Sequence, residues 1–388
     1  MPAPTRAMLE AAVAAFRVAD WTGARARLEE ATAAGADDAD AWALLAAVCH
    51  RLDDAAAADS AADRALVLNP RNLRGVLAKA DVLAGRGANR EASFYYNAFV
   101  LLGGERPSLP PDLAEGLARA RAAQKRVAAG MMTLIDEELE QAGYSAGASD
   151  RRFTHALDIL TGRKQPYLQQ PQAFYYPELP NIQFYPRAQF PWMDAVEAAT
   201  EAMTAELNAV LEDQAAFSPY LKTDPNLPSR PDYPLIDSMD WSSCFLSKDG
   251  RETANAERCP QTMAALSDAP LCQVKGRSPQ IMFSQLKAGA HIQPHTGFVN
   301  TRLTCHLPLI VPPDCHFRVG NETRSWVRGE CWAFDDTIEH EAKNGSDRTR
   351  VVLIFDIWRP ELSKEERLLV ATLLETLDAY SPQAAVWD

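Results

Sequence analysis

The chain has 388 residues, 47% of them hydrophobic, enough to bury a large core and, by length, to make two domains. Its formal net charge of −13 excludes a general nucleic-acid binder, which needs a basic surface to meet phosphates. No apolar run follows the opening Met-Pro-Ala-Pro-Thr-Arg-Ala, and none elsewhere approaches membrane-spanning length, so neither a secretory signal nor a membrane anchor is expected.

Residues 1–104 are Ala-rich and helical in pattern, and they repeat with a period of about 34 residues. Trp42, Leu45, Ala46, Ala58, Ala62 and Ala65 form one unit closed by Pro70. The same offsets give Met8, Ala12, Ala24, Leu28 and Ala31 before it, and Val76, Ala80, Leu83, Ala92, Tyr96 and Phe99 after it. Small residues where two antiparallel helices cross resemble the tetratricopeptide repeat, although Lys79 stands where Leu is usual. Pro107-Ser108-Leu109-Pro110-Pro111 breaks the array, and helices are predicted over 112–141 and 150–163. Segment 165–192 is rich in Pro and aromatics, as expected of an irregular, partly buried wrap or a linker. One amphipathic helix is predicted over 193–213.

From about 237 the texture turns to short β-rich runs, with strands predicted at 280–287, 301–310, 315–319, 330–334, 339–342 and 348–358. Turn signals separate them at Ala288-Gly289, Pro312-Pro313-Asp314, Gly320-Asn321, Arg328-Gly329 and Asn344-Gly345. Many short strands at close spacing read as an all-β sandwich or jelly roll, followed by a helical tail after Pro360. The seven cysteines (Cys49, Cys244, Cys259, Cys272, Cys305, Cys315, Cys331) form no Cys-x-x-Cys pair. A disulfide framework or structural zinc site is therefore not expected, and a cytoplasmic location is.

Five of the seven histidines lie between 291 and 340. Imidazoles crowded in this way point to a metal or acid–base site. Strand alternation places Leu303, Cys305, Leu307 and Leu309 on one face of their strand, and Arg302, Thr304 and His306 on the other. It likewise puts Arg348, Arg350, Val352 and Ile354 opposite Val351, Leu353, Phe355 and Ile357. Each polar face alone could be solvated; together, near two more histidines, they read as an anion pocket beside a metal. Gly297, two residues after His295, stands where a mononuclear iron site often has its carboxylate.

The collinear series Ser284, His291, Pro294-His295-Thr296-Gly297, Asn300-Thr301-Arg302-Leu303, His306-Leu307, Trp326, Phe334-Asp335-Asp336, Glu339-His340-Glu341, Arg350 and Trp358-Arg359-Pro360-Glu361-Leu362 resembles the aspartyl/asparaginyl β-hydroxylase family. The resemblance implies an iron(II)- and 2-oxoglutarate-dependent dioxygenase on a double-stranded β-helix (jelly-roll, cupin-like) behind tetratricopeptide-like repeats, an α+β multidomain chain. The expected division is 1–104 repeats, 105–179 connecting region, 180–365 oxygenase domain and 366–388 helix and tail.

The resemblance also implies roles. His295 and His340 become the iron ligands, and Asp336 orients a water in the third protein-side position; its alternative reading is a turn or strand-end carboxylate. Arg350 and Ser284 bind the distal carboxylate of 2-oxoglutarate, His306 contacts its nearer carboxylate, Trp241 lies close by, and Arg302 contacts substrate. Thr304 departs from the pattern, in which the protein-hydroxylating animal members carry a second arginine. His291 and His316 are read as local hydrogen-bonding residues. The implied reaction hydroxylates an unactivated C–H bond of an aspartyl or asparaginyl residue or a related peptide or amino acid, with a peptide, protein or carrier-bound partner recruited by the repeats. The competing readings are a lipid acyl-chain hydroxylase, a non-catalytic repeat scaffold with a ligand-binding cupin-like domain, and a halogenase using the open ligand position.

Overall fold

A computed structural model describes residues 3–34, 38–104, 106, 108–145, 147, 150–223 and 233–380. Pro107 in the predicted break and the end of the 366–388 tail lie outside the described residues. The chain forms two compact units, 1–154 and 155–388, divided within a short helix.

In the first unit, helices α1 (Ala3–Arg17), α2 (Trp21–Ala33), α3 (Ala39–Arg51), α4 (Ala55–Leu68), α5 (Leu73–Gly85) and α6 (Asn89–Gly104) pack as successive hairpins. Helices α2, α4 and α6 begin at the expected period of about 34 residues. Capping residues fix four of the starts. Asp20, Asp38, Asp54 and Asn72 accept from the backbone N–H groups of Gly23, Asp40, Ala57 and Gly75, satisfying donors that lack helical partners. The small positions singled out by the repeat are the crossing points: Ala12, Ala24, Ala46, Ala58, Ala62 and Ala80 are fully buried. Lys79 is held by Asp59 and Asp63 of α4 at 2.7 and 2.6 Å. Helix α7 (Pro111–Gln141) packs Leu113 and Ala120 against Tyr96 and Phe99. The helical unit therefore continues past residue 104.

Helix α8 (Arg151–Leu160) spans the division. Among its described residues the second unit contains α9 (Met193–Ala198), α10 (Thr200–Leu211), α11 (Pro260–Ala265), α12 (Lys364–Tyr380) and eleven strands. The strands are β1 (Ser218–Pro219), β2 (Trp241–Lys248), β3 (Arg251–Glu252), β4 (Ile281–Leu286), β5 (His291–His295), β6 (Arg302–Ile310), β7 (Cys315–Val319), β8 (Glu322–Ser325), β9 (Trp332–Phe334), β10 (His340–Asn344) and β11 (Arg350–Trp358). The larger sheet runs β1-β2-β4-β11-β6-β9, with β3 paired to β2; the smaller runs β5-β10-β7-β8. All the strand pairs are antiparallel.

Period-two alternation gives the larger sheet two different faces. Cys244, Phe283, Leu303, Cys305, Leu307, Leu353 and Phe355 form a core with Met193, Met203 and Leu207 of the covering helices. The opposite face carries Trp241, Leu286, Trp332, Phe334 and Val352, which pack with Ile292, Phe317, Val319 and Ala342 of the smaller sheet. The site opens in this second, inter-sheet layer.

The Pro-aromatic segment belongs to this unit and straps two of its loops. Gln172 N and Phe174 N donate to the carbonyls of Gly297 and Phe298, and Gln170 N to that of Thr337. A buried ion pair anchors the strap. Arg359 Nη2 lies 2.7 Å from Asp335 Oδ2, and both side chains are fully buried. Arg359 also donates to Tyr185 Oη and to the carbonyls of Asn300 and Pro180. Such a pair is tolerated in a core because its donors are answered.

Candidate active site

Strands β5 and β10 pair with His295 directly opposite His340, and their ring centroids are 4.1 Å apart. Each Nδ1 lies against a carbonyl two residues back, 2.8 Å from Gln293 O and 3.0 Å from Ile338 O. That arrangement puts the proton on Nδ1 and leaves both Nε2 lone pairs available. Burial pushes the basicity of both imidazoles down, His340 strongly, so both stay neutral, the form a metal requires. Among the described residues, no group of three or more His, Cys, Asp or Glu side chains could hold a metal ion.

Asp336 stands beside this pair. A Cβ built on Gly297 would fall 2.4 Å from Asp336 Oδ2, so the carboxylate fills the space that a side chain at 297 would take. Gly297 N also donates to the Asp336 carbonyl at 2.7 Å, fixing the two loops together. Burial raises the Asp336 carboxyl to about 6, against the lowering effect of Arg302, and its Oδ1 has no partner.

The face of the larger sheet that looks into the inter-sheet layer supplies the rest. Arg350 is 1% exposed; its Nη1 reaches only the Ser284 carbonyl, at 3.3 Å, and its guanidinium lies 4.5 Å from the Trp326 ring. Arg350 Nε has no partner, and desolvation lowers the group to about 10. The carboxylate that a buried guanidinium calls for is not supplied by the described residues. Ser284 Oγ accepts from Trp241 Nε1 at 3.3 Å, and Trp241 stacks on Tyr220 with centroids 4.2 Å apart. His306 is packed among Phe317, Trp326 and Phe334, its Nδ1 unpartnered and its basicity strongly lowered by burial.

All eight residues singled out from the sequence (Trp241, Ser284, His295, Arg302, His306, Asp336, His340 and Arg350) line one cavity of about 480 Å³. The unpartnered atoms on Arg350, His306 and Asp336 mark it as a site built for ligands, since buried polar groups are otherwise paired. His291 and His316 take local partners instead, His291 with Glu341 at 2.7 Å and His316 with Asp314 at 2.9 Å.

Comparison with known proteins agrees with the geometry. A family model described as Aspartyl/Asparaginyl beta-hydroxylase matches residues 197–360, a stretch that carries all eight. Residues 197–360 are similar to that family. Aspartyl/asparaginyl beta-hydroxylase of Mus musculus is 39% identical over 138 residues, 34% of this chain and 18% of that protein. Aspartate beta-hydroxylase domain-containing protein 2 of Rattus norvegicus is 31% identical over 208 residues, 52% of this chain and 58% of that protein. The chain thus spans under a fifth of the first relative and somewhat over half of the second. For the helical region, an Arabidopsis OM64 TPR domain aligns at 19% identity over 32% of this chain and 93% of that one, with a TM-score of 0.28.

Within this matched stretch the structure adds residues that sequence reasoning missed. Asp356 lines the cavity and binds Arg302, and its place on the Arg350–Val352–Ile354 face was a signal available from strand parity. Tyr220 and Met282 also line the cavity; Trp326, named in the collinear series without a role, lies under Arg350 from the connection between β8 and β9. Those contacts have no local sequence signal, because they depend on which strands become neighbours.

Proposed function

We propose that this protein is an iron(II)- and 2-oxoglutarate-dependent hydroxylase whose second unit is a double-stranded β-helix. The reading is carried by one observation: two neutral histidines and a buried arginine with no carboxylate partner share one cavity in a hydroxylase-family domain. The overall change is R–H + 2-oxoglutarate + O2 → R–OH + succinate + CO2.

His295 and His340 would hold the iron through Nε2, which the carbonyl contacts at Nδ1 leave available. When bound, iron supplies the oxidising chemistry that dioxygen and an unactivated C–H bond otherwise lack. Arg350 binds the distal carboxylate of the 2-oxo acid; the Ser284 hydroxyl assists and His306 meets the nearer carboxylate. Asp336, whose carboxylate occupies the space beside Gly297, would accept a hydrogen bond from a water bound next to the iron. The Trp241–Tyr220 stack and the apolar walls exclude bulk water. Two protein ligands leave room for chloride as well, but nothing in the cavity favours halogenation.

The helical repeats suit recruitment of a peptide, protein or carrier-bound partner, because stacked hairpins present extended concave surfaces. No helix among the described residues is long and apolar enough to cross a membrane. Seven free, buried cysteines fit a reducing compartment, which we take to be the cytoplasm.

Anaerobic titration of iron(II) and 2-oxoglutarate into the chain should produce a metal-to-ligand charge-transfer band, and succinate should form once oxygen is admitted. His295→Ala and His340→Ala should each abolish both signals. Undiminished succinate formation in the two variants would refute the assignment. A scaffold that only binds ligand predicts no iron-dependent succinate in the parent chain.

A further inference from the structure

The three arginines lining the cavity are not equivalent. Arg277 is gripped by Asp378, with Nε–Oδ2 and Nη2–Oδ1 both 2.6 Å. Arg302 donates from Nη1 to Asp356 Oδ2 at 2.8 Å and presents Nη2 to Asp336 Oδ2 at 3.5 Å. Arg350 alone meets no carboxylate among the described residues. Among the described residues one unanswered positive charge therefore serves the cavity, and one dicarboxylate co-substrate consumes it.

The surroundings of Arg302 reject a second anion. Asp356 is held in place by Ser278 Oγ at 3.0 Å and by the backbone N–H of Gln280 at 3.1 Å, as well as by Arg302. Two residues along β6 from Arg302, on the same face, the buried side chain is Thr304, which carries no charge. A substrate carboxylate here would face Asp336 and Asp356 with Arg302 already committed to both, and like charges repel strongly in so dry a setting. Arg302 does retain one unmet donor, the buried Nε–H. A single uncharged carbonyl oxygen answers that donor, and an amide NH2 turned toward the two aspartates replaces repulsion with hydrogen bonding. A cationic head group fits less well, because the guanidinium stands between the aspartates.

We propose that Arg302, Asp356 and Thr304 make this site selective for a neutral carboxamide, an asparaginyl-type side chain, and that an aspartyl carboxylate is refused. This rests on the reading of Arg350 as the co-substrate's anchor, and it adds a specificity rule to that reading. Arg302 touches the substrate amide, while Asp356 acts through Arg302 by neutralising it.

The test uses the full chain with the site filled by N-oxalylglycine, an inert analogue of the 2-oxo acid, and measures binding rather than turnover. Two capped pentapeptides identical except for a central Asn or Asp are titrated by calorimetry. The Asn peptide should bind at least about tenfold more tightly, a margin expected when a buried carboxylate meets like charge. In Asp356→Asn, which leaves Arg302 without its main counter-ion, the preference should collapse toward unity or invert. Thr304→Arg, which adds a cation directly across the β6–β11 pairing from Asp356, should do the same and covers the case in which Asp356→Asn fails to fold. Equal or tighter binding of the Asp peptide by the parent chain overturns the proposal, as does an unchanged ratio in a folded variant. The underlying reading is checked separately: N-oxalylglycine binding that survives Arg350→Ala defeats the anchor assignment whatever the peptide ratio.

Discussion

Gly297 shows how a single position is decided. Its backbone does not have the positive φ that usually demands glycine; what demands it is the Asp336 carboxylate, 2.4 Å from where a Cβ would stand. Gly297→Ala should therefore push Asp336 off its place beside His295 and His340 while leaving both histidines intact. We expect iron affinity or succinate formation to fall about 10- to 100-fold, the scale usual for displaced partners of metal ligands. The melting temperature should hardly change, since the pair of loops stays joined by backbone bonding. Normal turnover in the alanine variant would show that Asp336 does not act on the metal position. At this scale the sequence showed the glycine, the histidines and the strand parity that turns Arg302, Thr304, His306 and Arg350 inward. It did not show that Arg302 is already neutralised, because Asp356 meets it only across the β6–β11 pairing.

Among elements, the helices were legible because their signals are local. Asp20, Asp38, Asp54 and Asn72 mark four starts, and the small residues recur with the repeat. Asn72 has a second task, donating to Asp40 Oδ1 at 2.6 Å in the preceding hairpin. Asn72→Ala loses a cap and a contact between hairpins and should destabilise the helical unit by about 1–2 kcal/mol, read as a lower urea midpoint. A midpoint unchanged within error would show that water replaces both bonds without loss. The strands were less legible where they matter most. Strand β5, His-Ile-Gln-Pro-His, contains a proline and alternates poorly; it is an edge strand, the place where proline is tolerated. Strand β8, Glu-Thr-Arg-Ser, is the other edge of the same sheet and has no apolar residue to announce it. The single helix predicted over 193–213 is two, α9 and α10, separated at Ala199.

Across the molecule, all seven cysteines are free and buried, spread over both units. Burial raises the thiols of Cys272 to about 12 and Cys244 to about 11, and raises that of Cys305 strongly as well, which suppresses the reactive thiolate. A thiol-reactive probe should accordingly label less than about one cysteine per chain under native conditions, and all seven in denaturant. Rapid native labelling of several thiols would mean that one of the cores opens on the timescale of the assay.

The sequence by itself determined the helical repeat, the β-rich second half and the residue types of the site, because periodicity, caps and the collinear motifs are written along the chain. The tertiary structure decided what those residues can still do. Among the described residues it left Arg350 without a carboxylate while answering Arg302 with two, and it set Asp336 in the space Gly297 leaves open. Charge balance in a buried cavity depends on partners brought from β4, β6, β10 and β11, and no local stretch of sequence contains that sum.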